Sequence, residues 1–185
     1  MNRFEFAALS VYLTSLVLGG CQTGQTSAPA RPIVQAANAQ EKQATLDRVK
    51  SLQGTWNVNA DKNGTSQQTI FTVGGGGNTV REVMFPGSGH EMTNMYHMDG
   101  KSIVCTHYCA MGNQPRMAAA ASQTSPSDTI EFKLVNVSNL RSPNEEYMGE
   151  MWLTFKDPNT VEQRWKSFKG SDVKSDMVFV LTRVQ

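Results

Sequence analysis

The stretch HEMTNMYHMDGKSIVCTHYC, residues 90–109, decides the fold. Two runs of alternating polarity flank Asp99-Gly100, and alternation with a period of two marks a strand whose faces meet different environments. Asp-Gly is a strong hairpin signal, because a type I′ turn needs positive φ at both central positions. The predicted register pairs Met98 with Lys101, Tyr96 with Ile103, Asn94 with Cys105, Met92 with His107 and His90 with Cys109. Paired residues point the same way, so these ten side chains share one face. The other face carries Glu91, Thr93, Met95 and His97 with Ser102, Val104, Thr106 and Tyr108, and suits water better.

Working outward, the same pattern runs from Gly54 to the end of the chain. Ten strand candidates, 54–60, 66–73, 78–85, 90–98, 101–109, 115–121, 128–135, 146–155, 160–168 and 175–183, are separated by turn chemistry such as Gly74 to Gly77, Pro86-Gly87 and Asp157 to Asn159. No helix-length pattern interrupts them, so consecutive strands should pair as a meander. A sheet of about ten strands leaves exposed edges unless it closes on itself, which favours an antiparallel up-and-down β-barrel. Alternation assigns Met177, Phe179 and Leu181, Ile130, Phe132 and Leu134, and Val161, Gln163 and Trp165 to the inner face. A barrel of this size is roomier than side chains alone comfortably fill, so a ligand cavity is expected. Before the strands, Leu46, Val49 and Leu52 have helical spacing and predict one short amphipathic helix over 41–53.

The chain has 185 residues, with 17 Lys and Arg against 16 Asp and Glu. That near-neutrality argues against a nucleic-acid partner, which needs a concentrated basic face. Met1 to Gly20 reads as a signal peptide: Arg3, then an apolar run from Phe6 to Leu18. At about 13 residues the run is too short to cross ~30 Å of hydrocarbon as a helix. Leu18-Gly19-Gly20-Cys21 resembles the lipobox of bacterial lipoproteins, which implies cleavage before Cys21, a thioether-linked diacylglycerol on it, and N-acylation. Several acyl chains make a stable membrane anchor. Residues 21–40 lack aromatics and read as a flexible tether, leaving 41–185 as the barrel domain. The absence of Asp at position 22 resembles lipoproteins sorted to an outer membrane, which implies an envelope protein facing the periplasm.

Leu52-Gln53-Gly54-Thr55-Trp56 opens the first strand and Leu181-Thr182-Arg183 closes the last. Together they resemble the lipocalin and fatty-acid-binding superfamily, in which a Gly-x-Trp tryptophan plugs one barrel end against an Arg from the final strand. The resemblance implies that Trp56 and Arg183 form this plug through burial and a cation–π contact. Residues 95–117 also look like a lipocalin-like group of bacterial proteins with no settled activity. The resemblance implies a fold and a ligand pocket and supplies no reaction, while the largely apolar inner face leads to the expectation of a small, mostly apolar ligand.

The predicted register puts His90, Met92, Asn94, Tyr96, Cys105, His107 and Cys109 on the cavity wall; Arg116 could pair with a ligand carboxylate. Two readings compete. In the first, His107 and Tyr96 are polar anchors in a pocket for an apolar molecule, with the cysteines packed as small hydrophobes. In the second, His107 or the His90/Cys109 pair ligates haem or a metal, as in the ten-stranded haem barrels called nitrobindins, which this chain resembles in outline. No HxxH, CxxC or HExxH spacing supports a metal, so the expectation is no cofactor. A third option is a structural envelope lipoprotein whose barrel is filled by its own side chains. Cys105 and Cys109 lie about 13 Å apart along one strand and are expected to be reduced. A Cys109–His90 nucleophile pair fits the register, yet no helix terminus lies nearby to stabilise an oxyanion, and binding outranks catalysis.

Overall fold

Ten antiparallel strands close into a barrel in the computed structural model, which describes residues 32–59, 66–119 and 128–185. The strands are β1 (Gly54–Val58), β2 (Gln67–Gly74), β3 (Thr79–Met84), β4 (Met92–Asp99), β5 (Ser102–Tyr108), β6 (Gln114–Ala119), β7 (Thr129–Ser138), β8 (Glu146–Asp157), β9 (Thr160–Lys169) and β10 (Asp172–Arg183). Each pairs with its neighbour in sequence, and β1 pairs with β10 to complete the ring. The expected count and closure are both found. The signal peptide, Cys21 and the tether up to position 31 lie outside the described residues.

Two features differ from the sequence expectation. The single helix over 41–53 is two short ones, α1 (Ala39–Ala44) and α2 (Leu46–Lys50). Thr45 breaks the run with φ −128° and ψ −85°, while its hydroxyl donates to the Glu41 carbonyl at 2.7 Å. α1 starts two residues earlier than expected, behind a capping box in which Asn38 and Glu41 bond each other's backbone N–H. The second difference is register. Asp99 pairs with Ser102, so the loop is Gly100-Lys101, and every partner shifts by two: Asn94 faces His107 and Tyr96 faces Cys105. Gly100 has φ 59° and Lys101 has no positive φ, which is the type II′ pattern with glycine first. A slip of two preserves the inward set and changes only who meets whom.

One barrel end is sealed by α2. Leu46, Val49 and Leu52 are buried against Trp56, whose indole N–H donates to the Leu52 carbonyl at 2.7 Å. Trp56 is fully buried and pairs across the seam with Arg183, whose guanidinium lies 4.2 Å from the ring centroid. The same guanidinium donates to the carbonyls of Ser51, Gln53 and Pro158, tying the helix exit, β1 and the β8–β9 turn together. Replacing Trp56 with Ala removes a fully buried ring held against Phe71 and Arg183, and is expected to cost about 3–5 kcal/mol in denaturant unfolding. A change within about 0.5 kcal/mol would show that the sealed end does not depend on it.

Candidate functional site

The inner face is not uniformly apolar. Halfway along the barrel, β3 points Glu82 inward between Val80 and Met84, with the carboxylic side chain fully buried. Cross-strand pairing and neighbouring walls bring polar partners to it: Thr69 from β2, Asn94 and Tyr96 from β4, and Gln163 from β9. Asn94 Nδ2 donates to Glu82 Oε2 at 2.8 Å and Tyr96 Oη donates to the same oxygen at 2.7 Å. Gln163 Nε2 donates to Oε1 at 2.8 Å. The Thr69 hydroxyl lies 3.1 Å from Oε1 and equally far from the Val83 carbonyl, so its proton is shared. The Gln163 bond crosses the lumen, joining walls that are 81 residues apart in sequence.

This network sets the state of His107. Because Asn94 spends its amide N–H on Glu82, its Oδ1 faces His107 Nδ1 at 2.7 Å, and that nitrogen carries the proton. Burial holds the His107 pKa down at about 4, so the ring is neutral and Nε2 presents a bare lone pair. The same burial raises the Glu82 carboxyl above its ordinary value, against the pull of its four donors. It pushes Tyr96 and Cys105 well above theirs, with the Glu82 charge as the next contribution.

Three atoms beside this network are covered by protein and lack a hydrogen-bond partner: His107 Nε2, Gln163 Oε1 and Trp165 Nε1. The residues that carry them are neighbours. Gln163 and Trp165 are successive inward residues of β9, and the Trp165 ring lies 5.0 Å from the His107 ring at a 47° tilt. Buried polar groups are nearly always paired, so three together mark an unusual site. A fourth, Asn113 Oδ1, lies toward the far end, where Asn113 Nδ2 donates to the Glu146 carbonyl at 2.9 Å.

Of the residues singled out from sequence, Asn94, Tyr96 and His107 are in the interior cluster, Met92 is partly buried against the core, and Cys109 is buried beyond His107. Cys105 is also buried, and both cysteines are unbridged. His90 is a correction. β4 begins at Met92, and His90 is an exposed turn residue resting on the Phe85 ring at 5.3 Å with Gln67 Nε2 3.3 Å from its Nε2. The His90–Cys109 pairing is therefore not formed. Arg116 is a second correction: it alternates with buried Pro115 and Met117, points outward, and pairs with Asp99 at 2.6 Å. Glu82, Thr69 and Trp165 were not singled out from sequence, although alternation alone had set Gln163 and Trp165 inward.

The barrel end opposite α2 is covered by Phe85. Its φ of 55° is a strained value for a bulky residue and turns it inward directly after inward-facing Met84, so two consecutive residues are buried. Its ring meets Phe179 at 5.8 Å in an edge-on contact. Met92, Met148 and Phe179 pack around this end partly buried, and Met177 is 36% exposed. A hollow of about 220 Å³ lies on the rim between Phe85, Pro86 and Gln68.

His107 has the tautomer of a metal-ligating imidazole, with Nδ1–H held by a side chain and Nε2 free. That nitrogen is covered by protein, the residue is 1% exposed, and the Trp165 ring packs against the imidazole. Among the described residues, no three His, Cys, Asp or Glu side chains group around a common point.

No family model matches the chain, and no curated protein matches it. Among solved structures, the crystal structure of Rv2717c from M. tuberculosis matches with a TM-score of 0.49 and 13% identity, over 80% of this chain and 99% of that one.

The depressed His107 pKa makes a stability prediction. The unfolded chain takes up the proton near pH 6.5 and the folded one only near 4, so stability present above about pH 6.5 is lost as pH falls toward 4. The loss approaches roughly 3 kcal/mol at the acid limit. Glu82 acts in the opposite sense, because its raised value gives stability at low pH that is lost as pH rises. Unfolding free energies of the parent and His107→Phe at about pH 7 and about pH 4 separate the two effects. The parent should lose more on acidification; equal losses would show that protonating His107 carries no penalty.

Proposed function

We propose that this protein is a lipid-anchored envelope lipoprotein whose lipocalin-like barrel binds a small, mostly apolar molecule between the Glu82 network and the Phe85 end. The observation that carries the binding reading is the trio of unpartnered atoms on His107, Gln163 and Trp165. Each such atom costs about 1–3 kcal/mol in a closed interior. A ligand that supplies partners recovers that cost, whereas more apolar packing does not.

Physical grounds favour entry at the Phe85 end. Methionine side chains are unbranched and repack with little loss, and Met84, Met92, Met148 and Met177 surround that end with Phe179. The Phe85 backbone is already strained, so turning its ring aside relieves a cost of about 1–3 kcal/mol. Support for the anchor comes from Leu18-Gly19-Gly20-Cys21 after a short apolar run; diacylglycerol on Cys21 would hold the barrel to a membrane surface.

Titration of purified protein with 1-octanol, followed by tryptophan fluorescence, tests the binding reading. A saturable change is expected, and His107→Phe should weaken it about tenfold while far-ultraviolet circular dichroism shows the barrel still folded. No saturable response up to about 1 mM would sink it. For the anchor, Cys21→Ser expressed in a bacterial host should move the protein from the membrane pellet to the soluble envelope fraction. Retention in the pellet would remove the lipoprotein reading.

A further inference from the structure

Resting on the binding reading above, we propose that the interior site selects a neutral head group that donates as well as accepts hydrogen bonds, a primary carboxamide being its full complement, and rejects the corresponding carboxylate. The unpartnered atoms define the selection. His107 Nε2 and Gln163 Oε1 can only accept, and the Trp165 indole N–H can only donate. Two acceptors and one donor are matched by the two N–H bonds and the carbonyl of a primary amide. A hydroxyl, with one proton and two lone pairs, satisfies the donor and one acceptor.

A carboxylate offers acceptors alone. It could take the Trp165 N–H but would set its remaining lone pairs against those of His107 and Gln163, with the Glu82 carboxyl directly behind Gln163. Nothing positive offsets this. Among the described residues, no Lys or Arg is buried. Arg183 and Arg48 lie at the α2 end, one on the Trp56 ring and the other 4.3 Å over Phe155. Lys169, the last residue of β9, is exposed at the opposite rim. His107 itself stays neutral, because burial opposes its protonation while its Nδ1–H donates to Asn94 Oδ1. Asn113 Oδ1 adds one more bare acceptor toward the mouth.

A built site that leaves polar partners unpaired for the wrong ligand discriminates far more strongly than an apolar pocket that differs by a methylene. The orientation follows: the head goes inward to His107, Gln163 and Trp165, and the chain lies among the methionines and Phe179 beneath Phe85.

The test compares octanamide with octanoate at about pH 8, where the acid is ionised, by calorimetry and tryptophan fluorescence on the full-length protein. Octanamide is expected to bind at least about tenfold more tightly. His107→Phe and Gln163→Leu, which remove the two acceptors without adding charge, should each shrink that ratio toward unity. Octanoate binding as tightly as octanamide, or more so, would overturn the proposal while leaving the binding reading intact, and would point to Lys169 at the rim. An unchanged ratio in both variants would also overturn it. If octanamide, octanoate and 1-octanol all fail to bind, the binding reading fails and this selectivity with it.

Discussion

An ionisable carboxyl held away from water must be given partners, and the middle of this barrel is organised around meeting that demand for Glu82. Its oxygens collect Asn94 and Tyr96 from one adjacent strand, Thr69 from the other, and Gln163 from across the lumen. Removing one of several partners from a fully buried charge or acid costs more than the net worth of the bond, since the group left behind cannot return to water. Each donor is therefore held in one rotamer, and the walls that carry them are held in one spacing. The consequences run outward. Asn94, fixed by Glu82, fixes the His107 tautomer; Gln163, fixed at its nitrogen, is left with a buried oxygen that has no partner.

How much of this could be read from the chain depends on range. Strand number and barrel closure follow from short-range chemistry: turn residues at regular intervals, alternation between them, and a Trp56–Arg183 pair at the two ends of the meander. The hairpin register slipped by two because Asp99-Gly100 fits a type I′ loop as well as the first half of a type II′ one, and Ser102 and Asp99 are equally at ease as the closing pair. The inward set survived the slip, which is why Asn94, Tyr96 and His107 were recognisable as interior. Glu82 was not. In Val80-Arg81-Glu82-Val83-Met84 each face carries one charged residue, so local alternation does not say which is buried, and the answer lies with a glutamine 81 positions away. His90 was misplaced for a related reason: Phe85, with positive φ, leads into a turn stabilised by Ser88 and Glu91 that uses up residues expected to extend β4.

The wall is less regular than ideal closure would make it. β7 pairs with β8 only from Thr129 to Lys133; beyond that, Gln114–Arg116 of β6 alone accompany it, and the first residues of β8 accompany β9 alone. Bulges at Arg116/Met117 and Met148/Glu150 flank this parting of the strands, as bulges do where a sheet must bend. Side chains hold the gap: Lys133 bonds Glu150 at 2.8 Å, and Asn113 reaches the Glu146 carbonyl. The Phe168 ring fills the space beside Gly149, where an added Cβ would come within 2.5 Å of it, and a wall hollow of about 230 Å³ remains between Leu134, Tyr147 and Phe168.

A barrel filled by its own side chains and a barrel that binds a ligand are usually taken as alternatives, but the energetics here join them. The sealed half has Trp56, Leu181, Phe71 and Val80 fully or almost fully buried, and among the described residues none of the orphaned side-chain atoms belongs to it. The other half is closed by groups that are each imperfectly placed: a phenylalanine in left-handed backbone, an indole N–H with no acceptor, an imidazole and an amide oxygen with no donor. Such deficits leave a closed state populated only because opening it to water would expose apolar rings at about 25 cal/mol per Å². A molecule with an apolar body and a suitably paired head removes that obstacle and meets the deficits together. The asymmetry between the two halves, rather than a preformed void, is what makes this end of the barrel the place for a ligand.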